Sequence, residues 1–428
     1  MSSSGAIAEF AADVRYERLP EDVRAATKRR VLDAVGVGLG TRETGERDAI
    51  ARAVGGGGSG DGSGGESRLW GATTASAPMA ALHNAALAEA GNGAVFLSPA
   101  LARAYGPLGA VLAAAETEGS TGDATLAGLA VALEVHGELA WSAPLEGFGP
   151  ATHAGLAAAA GVGRAMGLGA DGIERAIGLT ASRVSLSVGG EAFRPVSSGL
   201  ASQAAVVACR LAAEGVEAPD AMTAAGGWHD RVGAFDLDLD PGCERVRDAA
   251  VLPYDAHPYG QSAIEAAIGL AEETAIDPAD IGRVGVETVE RAVPEVDAER
   301  IAAALVDRAL AVHRAGRADL RPVAERVTVS SIGRSDDRPD TAAMPARVTV
   351  ETRDGATHER AVERFSGHPA APASWGTVEG KFHAQAAAYD RDRREDIVRT
   401  VRSFEAETAV ELARLLGRAR SDTEPGQA

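Results

Sequence analysis

Lysine is almost missing from this 428-residue chain. Only Lys28 and Lys381 occur, against 40 arginines and 61 Asp and Glu residues, and the formal net charge is −19. So acidic a surface repels phosphates, which argues against a general nucleic-acid or anionic-membrane binder. The same balance fits a halophilic, high-salt cytoplasm, where carboxylates stay hydrated and their repulsion is screened. It equally fits a GC-rich genome, whose codons favour Ala, Gly and Arg. Cysteine is nearly missing too. Cys209 and Cys243 cannot make a disulfide framework, and with no CxxC pair neither a structural zinc nor an iron–sulfur cluster is expected. The nine histidines show no HExxH pairing, so no metal site is expected. The first residues, Met1 to Gly5, lack a basic n-region and a following apolar run, so no signal peptide is expected and the cytoplasm is the default location. The stretch from Gly155 to Leu168 is apolar but too short to span a bilayer.

What is present is mostly helix. Spacing of three and four residues marks Ala6–Val14, and Leu19-Pro20-Glu21-Asp22 opens a second helix that runs to Gly40. Gly36, Gly38 and Gly40 are costly inside a helix unless close packing uses them. The run Gly55–Gly65 is a flexible loop and lacks the Gly-Lys-Ser/Thr ending of a phosphate cradle. From Pro78 to Gly227, Ala-rich helical runs are separated by Gly and Pro breaks, which reads as a packed all-helical domain. Gly161-Val-Gly163 and Gly36-Val-Gly38 lie in helical text and read as packing positions, since no strand precedes them. No Gly-x-Ser-x-Gly elbow appears.

After Gly233 the texture changes. Arg283–Glu290 and Arg326–Ser331 alternate as strands do, and Ala346–Arg353, Asp354-Gly355 and Ala356–Arg364 spell a hairpin. Helices return at Gln261–Glu273, Ala298–Ala315 and Arg391–Leu416. The fold class is therefore mainly α with α+β: a large all-helical domain and a smaller α+β domain with a mainly antiparallel sheet.

Six segments in order resemble the MmgE/PrpD family. They are Leu19-Pro-Glu-Asp-Val with Arg30-Val-Leu-Asp33; Ala80-Ala-Leu-His-Asn84; Leu108–Glu116; Gly147-Phe148 to Gly155; Pro253-Tyr254 with Ser262-Ala-Ile-Glu265; and Gly367-His-Pro369 with Gly380-Lys381-Phe382. Known members include 2-methylcitrate dehydratase, cis-aconitate decarboxylase and iminodisuccinate epimerase. The resemblance implies a helical domain over residues 1–235 and an α+β lid domain over 236–375. It further implies a C-terminal helix over 376–420 that returns to the helical domain, with a disordered tail at 421–428. It implies a lyase or epimerase that works on a small polycarboxylate without metal or organic cofactor, in a carboxylate-binding cleft between the two domains. As partners it implies a homodimer, or a heteromer with an active paralogue, and neither nucleic acid nor membrane.

Such chemistry needs a tuned acid and base plus cations that hold carboxylates. The family draws these from short His-, Asp- and Lys-containing segments, and this chain departs at most of them. The acidic run falls on Glu89-Ala-Gly-Asn92, the His-Pro-Ser triplet near Arg103-Ala-Tyr105, and the Gly-Phe-His segment on Gly147-Phe148-Gly149, with His153 four residues on. The Lys-x-x-His segment becomes Arg194-Pro-Val-Ser197, and a later Lys position is Leu252. Carried onto these positions, Asn92, Arg103, Arg194, Ser197 and Tyr254 would bind substrate, with His153, His257 and Tyr259 moving protons. Glu89 reads as a helix-surface carboxylate or a base, and Tyr105 as a packed aromatic. Loss of the aspartates supports the alternative of a non-catalytic polycarboxylate binder, a pseudoenzyme that partners an active subunit.

Overall fold

A computed structural model describes residues 3–41, 45–55, 66–99, 101–143, 145, 149, 151–183, 193–313, 315–333 and 344–417. The Gly-rich run at 56–65, Gly147, Phe148 and the tail at 421–428 lie outside the described residues. The chain divides into two units: residues 1–96, 100–249 and 385–428 form the first, and residues 97–99 and 250–384 the second.

The first unit is a helical bundle. Its N-terminal elements are α1 (Ser3–Asp13), α2 (Glu21–Gly40), α3 (Gly45–Ala53), α4 (Ala77–Glu89) and a short hairpin of β1 (Val95–Phe96) with β2 (Ala102–Arg103). Next come α5 (Gly106–Glu118), α6 (Gly122–Ser142), α7 (Ala151–Ala165), α8 (Ala170–Arg183) and α9 (Arg194–Ala213). With so few aromatics, the core closes by bringing backbones together. A Cβ on Gly109 of α5 would stand 2.4 Å from the Ala85 nitrogen of α4, and one on Gly128 or Gly161 would stand 2.6 Å from the other's carbonyl oxygen. A Cβ on Gly38 would stand 2.4 Å from the Trp70 ring, which is the close packing that the α2 glycines require.

The first unit continues to Ala249, past the expected boundary at 235, because α6 holds the following loop. Buried Glu134 accepts the backbone N–H of Arg245 at 2.7 Å and of Asp240 at 3.2 Å, and Glu138 accepts that of Asp238 at 3.0 Å. At the far end, the single helix expected over Arg391–Leu416 is two, Arg391–Arg402 and Ala409–Leu416. The break is stitched to the segment before α6: Gly122 donates to the Glu407 carbonyl and Ala409 to that of Ser120, while Thr408 and Glu411 form a capping box.

In the second unit, β3 (Ile281–Thr288), β4 (Val327–Ser331), β5 (Ala346–Thr352) and β6 (Thr357–Val362) form one sheet in the order β4-β3-β5-β6. The β5–β6 hairpin turns at Asp354-Gly355 as its sequence requires, with Gly355 at φ +90°. The sheet is mixed, since β4 runs parallel to β3. Helices α10 (Gln261–Thr274) and α11 (Ala298–Asp307) share its core, where Val284, Val286, Val348 and Val350 meet Ala267, Leu270 and Ile301. The α11 helix stops short of the expected Ala315 because Arg308 turns left-handed at φ +55°. Helix α12 (Trp375–Gln385) ends the unit's element order.

Candidate active site

Glu89 closes α4 and is 2% exposed, so it is not a surface carboxylate. Its Oε1 accepts the backbone N–H of Gly106 at 2.6 Å and of Tyr105 at 3.0 Å, capping the start of α5 from another helix. Its Oε2 has no hydrogen-bond partner among the described residues. Arg103 on β2 and Arg194, the first residue of α9, both act electrostatically on this carboxyl. They also oppose one another: Arg103 depresses the Arg194 pKa, with burial the larger cause. For Glu89, burial outweighs both cations and raises the pKa above its ordinary value.

The surrounding shell is polar and buried. The Arg103 guanidinium donates to the Gly91 carbonyl at 2.9 Å. Asn92 is buried, and its Oδ1 accepts from Gln385 at 2.9 Å. Ser198 is buried beside Gly106, where a Cβ would stand 2.8 Å from its Oγ and 3.5 Å from Glu89 Oε1. Ser197, one residue earlier, is half-buried. Tyr105 is more than a packed aromatic: its hydroxyl donates to Asp33 Oδ2 at 2.6 Å, and burial with that carboxylate raises its pKa well above the ordinary value. Arg30 lies one turn before Asp33 on α2 and donates to the Ala26 carbonyl at 3.1 Å, while burial lowers its pKa to about 10. The sequence holds a sign of this shell, since Arg30 and Asp33 are charges in the half of α2 that is buried on all sides.

Of the residues expected to move protons, only His153 belongs to the first unit. His153 on α7 meets the Ala143 carbonyl through Nε2 at 2.7 Å, and its Nδ1 has no partner among the described residues. Burial lowers its pKa to about 4, and that of its neighbour His136 to about 3. Its ring lies against Trp228, at 5.8 Å between centroids. No described contact joins it to Glu89, Arg103 or Arg194. His257, Tyr259 and Tyr254 belong to the second unit. There His257 Nδ1 accepts the Tyr259 N–H at 3.3 Å and lies 3.7 Å from Glu295, while the Tyr259 ring receives Arg291 at 5.3 Å. The Tyr254 hydroxyl points to Glu265 at 3.4 Å, and burial and that carboxylate raise its pKa. Leu252 is fully buried. Among the described residues no group of three or more His, Cys, Asp or Glu side chains is placed to hold a metal ion.

The fold and site define an Ala-rich helical domain in which a buried carboxyl, Glu89, is acted on by two arginines. A family model, the MmgE/PrpD N-terminal domain, matches residues 5–234, more than half of the chain, and the chain belongs to the MmgE/PrpD family. Membership points to a dehydratase-like lyase or a related activity. No curated protein matches the chain.

Proposed function

We propose that the chain is a cofactor-free lyase or epimerase for a small polycarboxylate, working at Glu89, Arg103 and Arg194. The observation that carries this reading is the buried Glu89 carboxyl. One of its oxygens is fixed by two backbone N–H groups, the other has no partner among the described residues, and two arginines act on it. Arginine suits the clamp because its planar fork meets carboxylates bidentately and stays charged. A C–H beside a carboxylate held this way loses its proton to Glu89 Oε2, and the electron pair moves into the clamped carboxylate. In an epimerase the planar intermediate turns its other face to Glu89 before the proton returns to carbon; in a dehydratase the proton goes to a leaving oxygen that departs as water. A raised Glu89 pKa suits both halves, since it makes the carboxylate a stronger base and leaves it able to hand the proton on.

A second reading, a non-catalytic polycarboxylate binder or inactive partner subunit, is favoured by the same carboxyl's capping of α5 and its 2% exposure. The test is incubation of the pure protein in D2O with 2-methylcitrate, citrate, cis-aconitate and iminodisuccinate, followed by proton NMR. Turnover, or deuterium entering a carbon beside a carboxylate, supports catalysis. Thermal stabilisation by one compound with neither signal supports the binder, and no response to any of them ends both readings.

A further inference from the structure

Helix α5 starts from an unusual residue. Positions that cap a helix favour Ser, Thr, Asp and Asn, whose side chains close on the first free N–H groups. Here the capping position is Tyr105, and its side chain makes no such bond. The N–H groups of residues 105 and 106 go instead to Glu89 on α4. The Tyr105 side chain is used elsewhere. It is fully buried, and its hydroxyl donates to Asp33 Oδ2 on α2, 72 residues earlier in the chain, at 2.6 Å. The far end of this contact is fixed as well. Asp33 is buried, and the Arg30 guanidinium acts on both Asp33 and Tyr105 while it is held by the Ala26 and Ala249 carbonyls. Burial keeps the Tyr105 hydroxyl protonated, so it remains a donor. The edge of the ring lies against residue 93, where a Cβ on the glycine would stand 2.7 Å from Cδ2.

We propose that Asp33 and Tyr105 are positioning residues for Glu89: their bond fixes the turn whose N–H groups hold Glu89 Oε1 and whose strand carries Arg103. Their role rests on that proposed for Glu89, Arg103 and Arg194. A side chain held at both its ring and its hydroxyl holds its own backbone, and this backbone serves the site on two sides. Arg103 lies two residues before Tyr105, with its guanidinium on the Gly91 carbonyl, and Ala104 between them donates to the Ala94 carbonyl. The two donors to Oε1 follow directly. One buried bond to α2 therefore sets the clamp and the acid in a single frame, and it leaves Oε2 as the oxygen that can exchange a proton. A hydroxyl buried 72 residues from its acceptor in the chain explains why a tyrosine stands where a capping residue is expected.

The test reads the Glu89 carboxyl itself. Infrared or carbon NMR titration of the full chain labelled in glutamate, with Glu89→Gln to assign the signal, needs no substrate. Tyr105→Phe removes only the hydroxyl. With the turn released, the two N–H bonds that favour the charged form loosen, and Glu89 should hold its proton about tenfold more tightly. Asp33→Leu should give the same change, and the double variant no more than either alone, because each breaks the same bond. Asp33→Asn keeps an acceptor oxygen and should return the titration to that of the wild type. Any turnover should fall by about 10- to 100-fold in Tyr105→Phe, and its pH profile should move with the titration. A role in packing alone would lower the melting temperature and leave the Glu89 titration in place. Either breaking variant serves if the other fails to fold. A titration unmoved by Tyr105→Phe or by Asp33→Leu, additive changes in the double variant, or an Asp33→Asn chain that shifts as far as Asp33→Leu would each overturn the proposal. A titration that moves as expected in a protein with no turnover would remove the catalytic reading of Glu89 and leave the positioning role standing.

Discussion

The Oε1 atom of Glu89 accepts the Gly106 backbone N–H at 2.6 Å, so the carboxyl proposed to move the proton also holds the start of α5. The two roles separate by substitution. Glu89→Gln keeps an acceptor oxygen for Gly106 and Tyr105 but cannot shuttle a proton. It should fold with a loss of about 1 kcal/mol or less, while any turnover falls by roughly 10²- to 10⁴-fold. Glu89→Ala leaves both N–H groups buried and unpaired, and should cost about 3 kcal/mol in chemical denaturation.

Arg103 and Arg194 act on the same carboxyl and should act on the same ligand. Arg103→Met or Arg194→Met should each weaken polycarboxylate binding by about 10- to 100-fold in calorimetry, the loss of a charged hydrogen-bonding partner. Arg194→Lys should recover part of the affinity, since it restores the charge without the fork. Equal binding by all three variants would remove the arginine pair from the site.

Stability should fall on both sides of mildly acidic pH. Burial lowers His136 to about 3 and His153 to about 4, so the native state binds fewer protons than the unfolded chain below the ordinary histidine range. Their contribution is present above about 6.5 and is lost as pH falls toward the folded values. Burial raises Glu134 to about 8 and Glu116 to about 7, so their contribution is present below the ordinary carboxyl range and is lost as pH rises through 7 and 8. Urea titrations across pH should show His136→Gln flattening the acid limb and Glu134→Gln the alkaline limb.

Glycines inside helices should split by what surrounds them. Gly109→Ala drives a methyl against the Ala85 backbone and should destabilise by about 2–3 kcal/mol. Gly380→Ala, in α12 with nothing within 4 Å of the new atom, should stabilise by about 0.5–1 kcal/mol. A Gly109→Ala chain as stable as the wild type would show that α4 and α5 do not approach as described.

Much of the fold is legible in the chain. The Asp354-Gly355 hairpin, the helix from Gly106 to Glu118 and the packing role of Gly161 follow from periodicity and local chemistry. The breaks were less legible. A period of 3.6 runs unbroken from Arg391 to Leu416, and only the hydrogen bonds from Gly122 to the Glu407 carbonyl and from Ala409 to the Ser120 carbonyl show why the helix divides there. Likewise, no local pattern assigns residues 236–249 to the helical unit, because the carboxylates that hold them sit about a hundred residues earlier on α6.

The sequence by itself determined the helical character, the acidic balance of charge and the family. Tertiary structure alone decided what Glu89 is. On a helix ladder it is one more polar position near a C-terminus. It becomes a buried carboxyl of raised pKa because α5 and α9 pack on α4 and remove it from water. Burial and long-range charge have no local signature, so a residue's protonation can be read only once its neighbours are in place.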